Sequence, residues 1–127
     1  MNIRRANEKD IPRLIELLGQ VLQIHADIRP DIFIAGTTKY TNEELSEMIK
    51  DDTNPIYVAA DENDVCVDAS ARGQHIGEAL FEYVKSEAKR LGCYEVTLNE
   101  WTGNTSAEKF YEKMGLKTKE RQMEYIL

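Results

Sequence analysis

At 127 residues, with 42% hydrophobic and 31% charged side chains, the chain suits one domain whose single core needs neither metal nor disulfide. A net charge of −7 argues against a nucleic-acid backbone as partner and favours a cationic one, such as an amine. No apolar run is long enough to span a bilayer and no cleavable signal pattern follows Met1, so a cytoplasmic protein with no membrane partner is expected.

Asn2–Arg5 reads as a first strand. Asp10-Ile11-Pro12 opens a helix, with Asp10 as its cap and Pro12 in the first turn. Ile11, Leu14, Ile15, Leu18, Val21 and Leu22 recur at helical spacing and give it one apolar face. Arg29-Pro30 stops helical continuation, so His25–Lys39 is expected to be mostly loop, anchored by buried Ile32, Phe33 and Ile34. Thr41-x-x-Glu44 is a capping box for a second helix carrying Leu45, Met48 and Ile49. Ile56–Ala60 is a short β-rich run.

Val65–Val67 then forms an apolar strand, followed by a small-residue turn holding Arg72 and Gly73 and a helix opening at Ile76–Gly77. A strand–turn–helix junction of this kind points unpaired N–H groups and the positive end of a helix dipole into one concavity, which suits a phosphate or pyrophosphate. Gly73 and Gly77 leave room for a ligand to approach the backbone, and Arg72 adds a permanent cation; the plainer role of the glycines is a tight turn and close helix packing. No Gly-Lys-Ser/Thr follows, so this is not a Walker loop, and the glycine spacing is wrong for a dinucleotide fingerprint.

The helix runs to Leu91, with Gly92 at the position of a left-handed cap. Glu95–Glu100 alternates Val96 and Leu98 against polar neighbours, a strand pattern. Thr105–Met114 is a short helix closed by Gly115, and Leu116–Lys119 and Gln122–Leu127 read as two last strands. Cys66 and Cys93 have no CxxC or metal spacing; they are expected to be buried apolar residues of a reducing compartment, and no metal is expected.

The spacing Gln74-x-x-Gly77-x-Ala79 after Arg72-Gly73 resembles the acetyl-CoA pyrophosphate loop of the GCN5-related N-acetyltransferases (GNAT). Leu98-Asn99-Glu100, followed by Asn104-x-x-Ala107-x-x-Phe110-Tyr111-x-x-x-Gly115-Leu116, is similar to that family's later strand–helix–strand unit. The resemblance is close from Val65 onward and looser before it. It implies a mixed α/β fold, a twisted and mostly antiparallel sheet flanked by helices, with acetyl-CoA where two central parallel strands splay apart. It implies that Arg72, Gly73, Gln74, His75, Ile76, Gly77, Glu78 and Ala79 take the pyrophosphate, and that backbone at Cys66 and Val67 pairs with the pantetheine arm as an added strand would. Asn104 is then a cofactor partner, a helix cap, or both, while Asn99 shapes its loop.

The reaction implied is direct acetyl transfer to a primary amine of a small molecule or protein. Tyr111 is the candidate general acid for the leaving thiolate, against the plainer role of an aromatic packed beside Phe110. A lysine-type amine is protonated at neutral pH, so its proton needs a route; Glu100, Asp68 and His25 are candidates, each with a structural alternative. By position, His25–Phe33 resembles the loop that walls the acceptor site, and Trp101 either lines that cleft or covers the core. A non-catalytic acyl-CoA-binding regulatory module is the alternative reading. Acceptor identity and oligomeric state stay open, with a homodimer favoured wherever sheet edges are exposed.

One departure stands out. The family places a hairpin and a long strand between the runs at Ile56–Ala60 and Val65–Val67, where here only Asp61-Glu62-Asn63-Asp64 intervenes. Roughly fifteen to twenty-five residues are missing from the pattern near 61–65. Either this is a true deletion or the written sequence closes over a segment. The second is favoured, because so short a central strand would leave sheet edge and core surface exposed.

Overall fold

In the computed structural model, the described residues are 2–37, 39–60, 65–66 and 75–127. Strand β1 (Asn2–Arg5) pairs antiparallel with β2 (Tyr57–Ala60), aligning Ile3 with Ala59 and Arg4 with Val58. The short strand β3 (Val65–Cys66) pairs antiparallel on the other side of β2, with Ala59 opposite Cys66, giving the order β1-β2-β3. The run Asp61–Asp64, where the sequence pattern is short, lies outside the described residues.

Alternation along β2 sends its side chains to two faces. Val58 and Ala60 join Ala6 in one buried cluster against Leu14, Leu17, Ile49 and Ile56. Leu14 and Leu17 belong to helix α1 (Ile11–Ile28), and Ile49 to helix α2 (Asn42–Lys50). On the opposite face Ala59, fully buried, meets Ile76 and Leu80 of helix α3 (Ile76–Arg90), with Ile3 beside them. The Tyr57 ring also meets Tyr83 of α3 edge-on at 5.2 Å. The sheet is thus sandwiched between α1 and α2 on one face and α3 on the other, the mixed α/β arrangement expected.

The helix ends follow local chemistry. Thr41 caps α2, accepting from Glu44 N–H while the Glu44 carboxylate accepts from Thr41 N–H. Gly92 has φ +77° and closes α3, as its position predicts. Helix α4 (Thr105–Lys113) is capped by Asn104, which accepts from Ala107 N–H, and is closed by Gly115 at φ +91°.

Several expectations are corrected. Asp10 does not cap α1 with its side chain. Its buried carboxylate reaches back to Asn7 N–H at 2.8 Å and to Arg4 at 2.7 and 2.9 Å, bracing a 3-10 turn over Glu8–Asp10. Helix α1 continues to Ile28, so His25 lies in its last turn rather than in a loop, because Pro30 restricts only the residue before it. Ile32 and Ile34 are exposed, leaving Phe33 as the anchor of that loop, and Cys93 is exposed as well.

The strands expected at Glu95–Glu100, Leu116–Lys119 and Gln122–Leu127 form no ladder among the described residues, and neither does the expected parallel pair. A strand needs a neighbour, and alternating side chains do not supply one. Tyr94, Leu98, Met123, Tyr125, Ile126 and Leu127 accordingly stand in solvent, while Lys119 reaches the carboxylate of Glu95.

Candidate functional site

The α3 N-terminus is the centre of the candidate cofactor site. His75, which precedes it, is left-handed at φ 58°, ψ 29°, a strained setting for a residue with a Cβ. Its carbonyl accepts from Ala79 N–H, and the N–H groups of a helix's first turn lack an intrahelical partner. Those groups and the helix dipole favour an anion at this end. The His75 ring turns sideways to Glu78, with Nδ1 3.2 Å from its carboxylate. Cys66 contributes backbone to the ladder with Ala59. Val67, Asp68, Arg72, Gly73 and Gln74 lie outside the described residues.

Gly77 has a packing role. A Cβ there would stand 3.3 Å from Cζ of Phe110, so the missing side chain lets α4 approach the first turn of α3. This face of Gly77 makes room for a ring, where the sequence suggested room for a ligand. Tyr111 follows on α4, half-buried, its ring 5.4 Å from Phe110 in an edge contact. The candidate acid is therefore held on the same short helix that packs against the start of α3.

The turn before α4 joins this region to a second cluster. Asn104 N–H donates to the Trp101 carbonyl at 3.2 Å, closing a β-turn in which Gly103 has φ +105°. Glu108 accepts from Gly103 N–H, and a Cβ on Gly103 would meet Cγ2 of Ile28 at 3.3 Å. One end of the turn caps the helix carrying Tyr111, and the other presents Trp101. Around Trp101 stand Phe33, edge-on at 5.2 Å, and His25, 6.5 Å from the indole and 5.2 Å from Phe33. The Arg29 guanidinium lies 5.9 Å from the indole centroid.

Arg29 is the hub. It donates to both carboxylate oxygens of Asp31 at 2.9 and 2.8 Å and to both of Glu124 at 2.6 and 3.3 Å. Asp31 and then Glu124 hold the guanidinium firmly in its charged form, and Arg29 in turn lowers the Asp31 carboxyl below its ordinary range.

The structure thus brings His25, Phe33 and Trp101 together, and places Asn104 and Tyr111 on the adjoining turn and helix. Glu100 is exposed just before that turn. The sequence reading missed the cluster that Arg29, Asp31 and Glu124 form. Arg29 and Asp31 fell inside the segment read as the acceptor wall but were given no role of their own, and Glu124 is 95 positions from its partner, beyond any local pattern. A separate shallow cleft of about 510 Å³ between the 3-10 turn and α2 is lined by Glu8, Ile11, Pro12, Asn42, Glu43, Ser46 and Glu47. It shares no residue with the motifs. No metal-ligating group of side chains occurs among the described residues, and no described helix is long and apolar enough to cross a membrane.

Comparison with known proteins bears on the same residues. The profile of the acetyltransferase (GNAT) domain family matches residues 33–117. Glucosamine 6-phosphate N-acetyltransferase from Arabidopsis thaliana is 38% identical over 60 residues, covering 47% of this chain and 38% of that protein. The enzyme of the same name from Trypanosoma brucei brucei is 43% identical over 63 residues, covering 47% and 39%. The chain thus aligns with less than half the length of these curated relatives.

Among solved structures, a mutant Bacillus halodurans protein superposes with a TM-score of 0.91 at 24% identity, covering 100% of this chain and 99% of that one. An aminoglycoside acetyltransferase from an uncultured soil sample superposes with a TM-score of 0.69 at 17% identity, covering 99% and 94%. These likenesses establish the fold. The profile match spans the loop at Phe33, the start of α3 and all of α4, and on it the chain belongs to the GNAT acetyltransferase family.

Proposed function

We propose that this protein transfers the acetyl group of acetyl-CoA directly to a primary amine, in the cytoplasm, without a metal and without a covalent enzyme intermediate. The observation that carries the reading is the packing of α4 on the start of α3 through Phe110 and Gly77, inside the matched family region. That contact holds α4, the helix that carries Tyr111, against the first turn of α3.

The pyrophosphate binds the N–H groups at Ile76–Glu78, together with Arg72, Gly73 and Gln74. The pantetheine arm runs along the backbone of Cys66 and Val67 toward Asn104. The amine, once neutral, attacks the thioester carbonyl. The tetrahedral adduct collapses by breaking the C–S bond; the Tyr111 hydroxyl gives its proton to the departing thiolate, and the proton that the nitrogen loses as the amide forms returns to the phenolate. Phe33, Trp101 and His25 form the acceptor wall. The acceptor is a small amine, and the names of the curated relatives make glucosamine 6-phosphate the first to try.

A thiol-release assay with acetyl-CoA tests this across glucosamine 6-phosphate, aminoglycosides, polyamines, amino acids and lysine peptides. Turnover with one class and not the others is the expected result. Binding of acetyl-CoA with no acetylation across the panel would sink the catalytic reading.

A further inference from the structure

We propose that Glu124 is a positioning residue of the acceptor site, acting through Arg29 to hold the aromatic wall in place; the inference rests on the acetyl-transfer reading above. Two segments distant in sequence meet at one guanidinium: the turn after α1, with Arg29 and Asp31 two positions on, and Glu124, 95 positions away. Asp31 and Arg29 are local partners and would pair without help. Glu124 ties the segment after Leu116 to this wall.

Its effect reaches Trp101 and Phe33 by two routes. The guanidinium that Glu124 steadies lies against the indole. The carbonyl of the same Arg29 accepts from the N–H groups of Ile32 and Phe33 at 3.1 and 3.0 Å, so the backbone that presents Phe33 is fixed at the same residue. The Arg29 side chain is only 22% exposed, so the pair is partly shielded from water. A planar fork bound on both edges has little freedom to swing off the ring. Loss of Glu124 leaves Asp31 holding one edge only. The wall then loosens on the acceptor side, while α3 and α4, which carry the cofactor residues, keep their own contacts.

Glu124→Gln tests this in the full chain, with Glu124→Asp as the variant that keeps the charge. Trp101 is the only tryptophan, so intrinsic emission reports the wall without interference. For the first amine of the panel that the wild type acetylates, Glu124→Gln should raise the acceptor KM about two- to fivefold. The acetyl-CoA KM should hold, Trp101 emission should shift to the red, and Glu124→Asp should recover most of both changes. Unchanged emission and acceptor KM in Glu124→Gln, or equal rises in both KM values, would overturn the positioning role and leave acetyl transfer intact. A wild type that acetylates nothing overturns both.

Discussion

Two residues decide most of the chemistry proposed here, and each can be separated from its packing role. Tyr111→Phe keeps the ring edge against Phe110 and removes only the hydroxyl. If the phenol supplies the proton, turnover should fall about 10²–10⁴-fold while acetyl-CoA affinity and melting temperature stay near wild type. Full activity would mean that water or the ammonium product protonates the thiolate. Gly77 is a question of space. Gly77→Ala sets a methyl group 3.3 Å from the Phe110 ring, so the variant should melt lower, and Gly77→Ala/Phe110→Leu should recover part of the loss. No recovery in the double variant would place the cost elsewhere. The sequence marked both glycine and tyrosine, because their spacing to neighbours is local. It did not reveal that Phe110 fills the space at Gly77, a contact between residues 33 positions apart that is set by how two helices pack.

At the scale of the element, what was legible is what local chemistry specifies. Thr41-x-x-Glu44, Gly92, Asn104 and Gly115 end their helices as their types and positions suggest. Asp10 was misread because its long-range partner won. Arg4 on β1 offers two charge-assisted bonds, which outweigh a single neutral N–H at the start of α1. The side-chain hydrogen bond from Arg4 is the main reason the Asp10 carboxyl is held below its usual range, with the Asn7 N–H assisting against the cost of burial. A depressed folded pKa stabilises the protein above the unfolded value of ~3.9 and is lost as pH falls through the folded one. Asp10→Asn should therefore cost about 1–3 kcal/mol near neutrality. The difference in melting temperature between wild type and variant should shrink as the pH is lowered below ~4. A difference that stays constant into acid would show that the ion pair adds nothing beyond shape. Among the described residues the segments after Glu95 form no ladder for the opposite reason: nothing local decides whether an alternating segment finds a neighbour, and Tyr125 and Leu127 are exposed.

For the molecule as a whole, the described core is lean. Its buried members include four alanines, Ala6, Ala26, Ala59 and Ala60, beside few larger ones such as Leu45, Val58 and Ile76, while Leu14, Leu17, Ile49 and Leu80 are only partly covered. Fully burying one large apolar side chain contributes about 1.5–3 kcal/mol, so a fold built this way has little to spare and should respond strongly to a ligand. Acetyl-CoA would add contacts at the start of α3, the element that packs on one face of the sheet at Ala59. Ligand linkage contributes about 2.7 kcal/mol at a hundredfold excess over Kd. In a domain of this size that should raise the melting temperature by about 10 °C. CoA should do nearly as well, since it keeps the pyrophosphate and pantetheine and lacks only the acetyl group. ATP carries phosphates that α3 can bind but no pantetheine to pair with Cys66 and Val67, so its shift should be much smaller. The order acetyl-CoA, CoA, then ATP is the expected outcome of a thermal-shift series. Equal shifts for acetyl-CoA and ATP would mean that the site reads phosphate alone, and the arm along β3 would have to be abandoned.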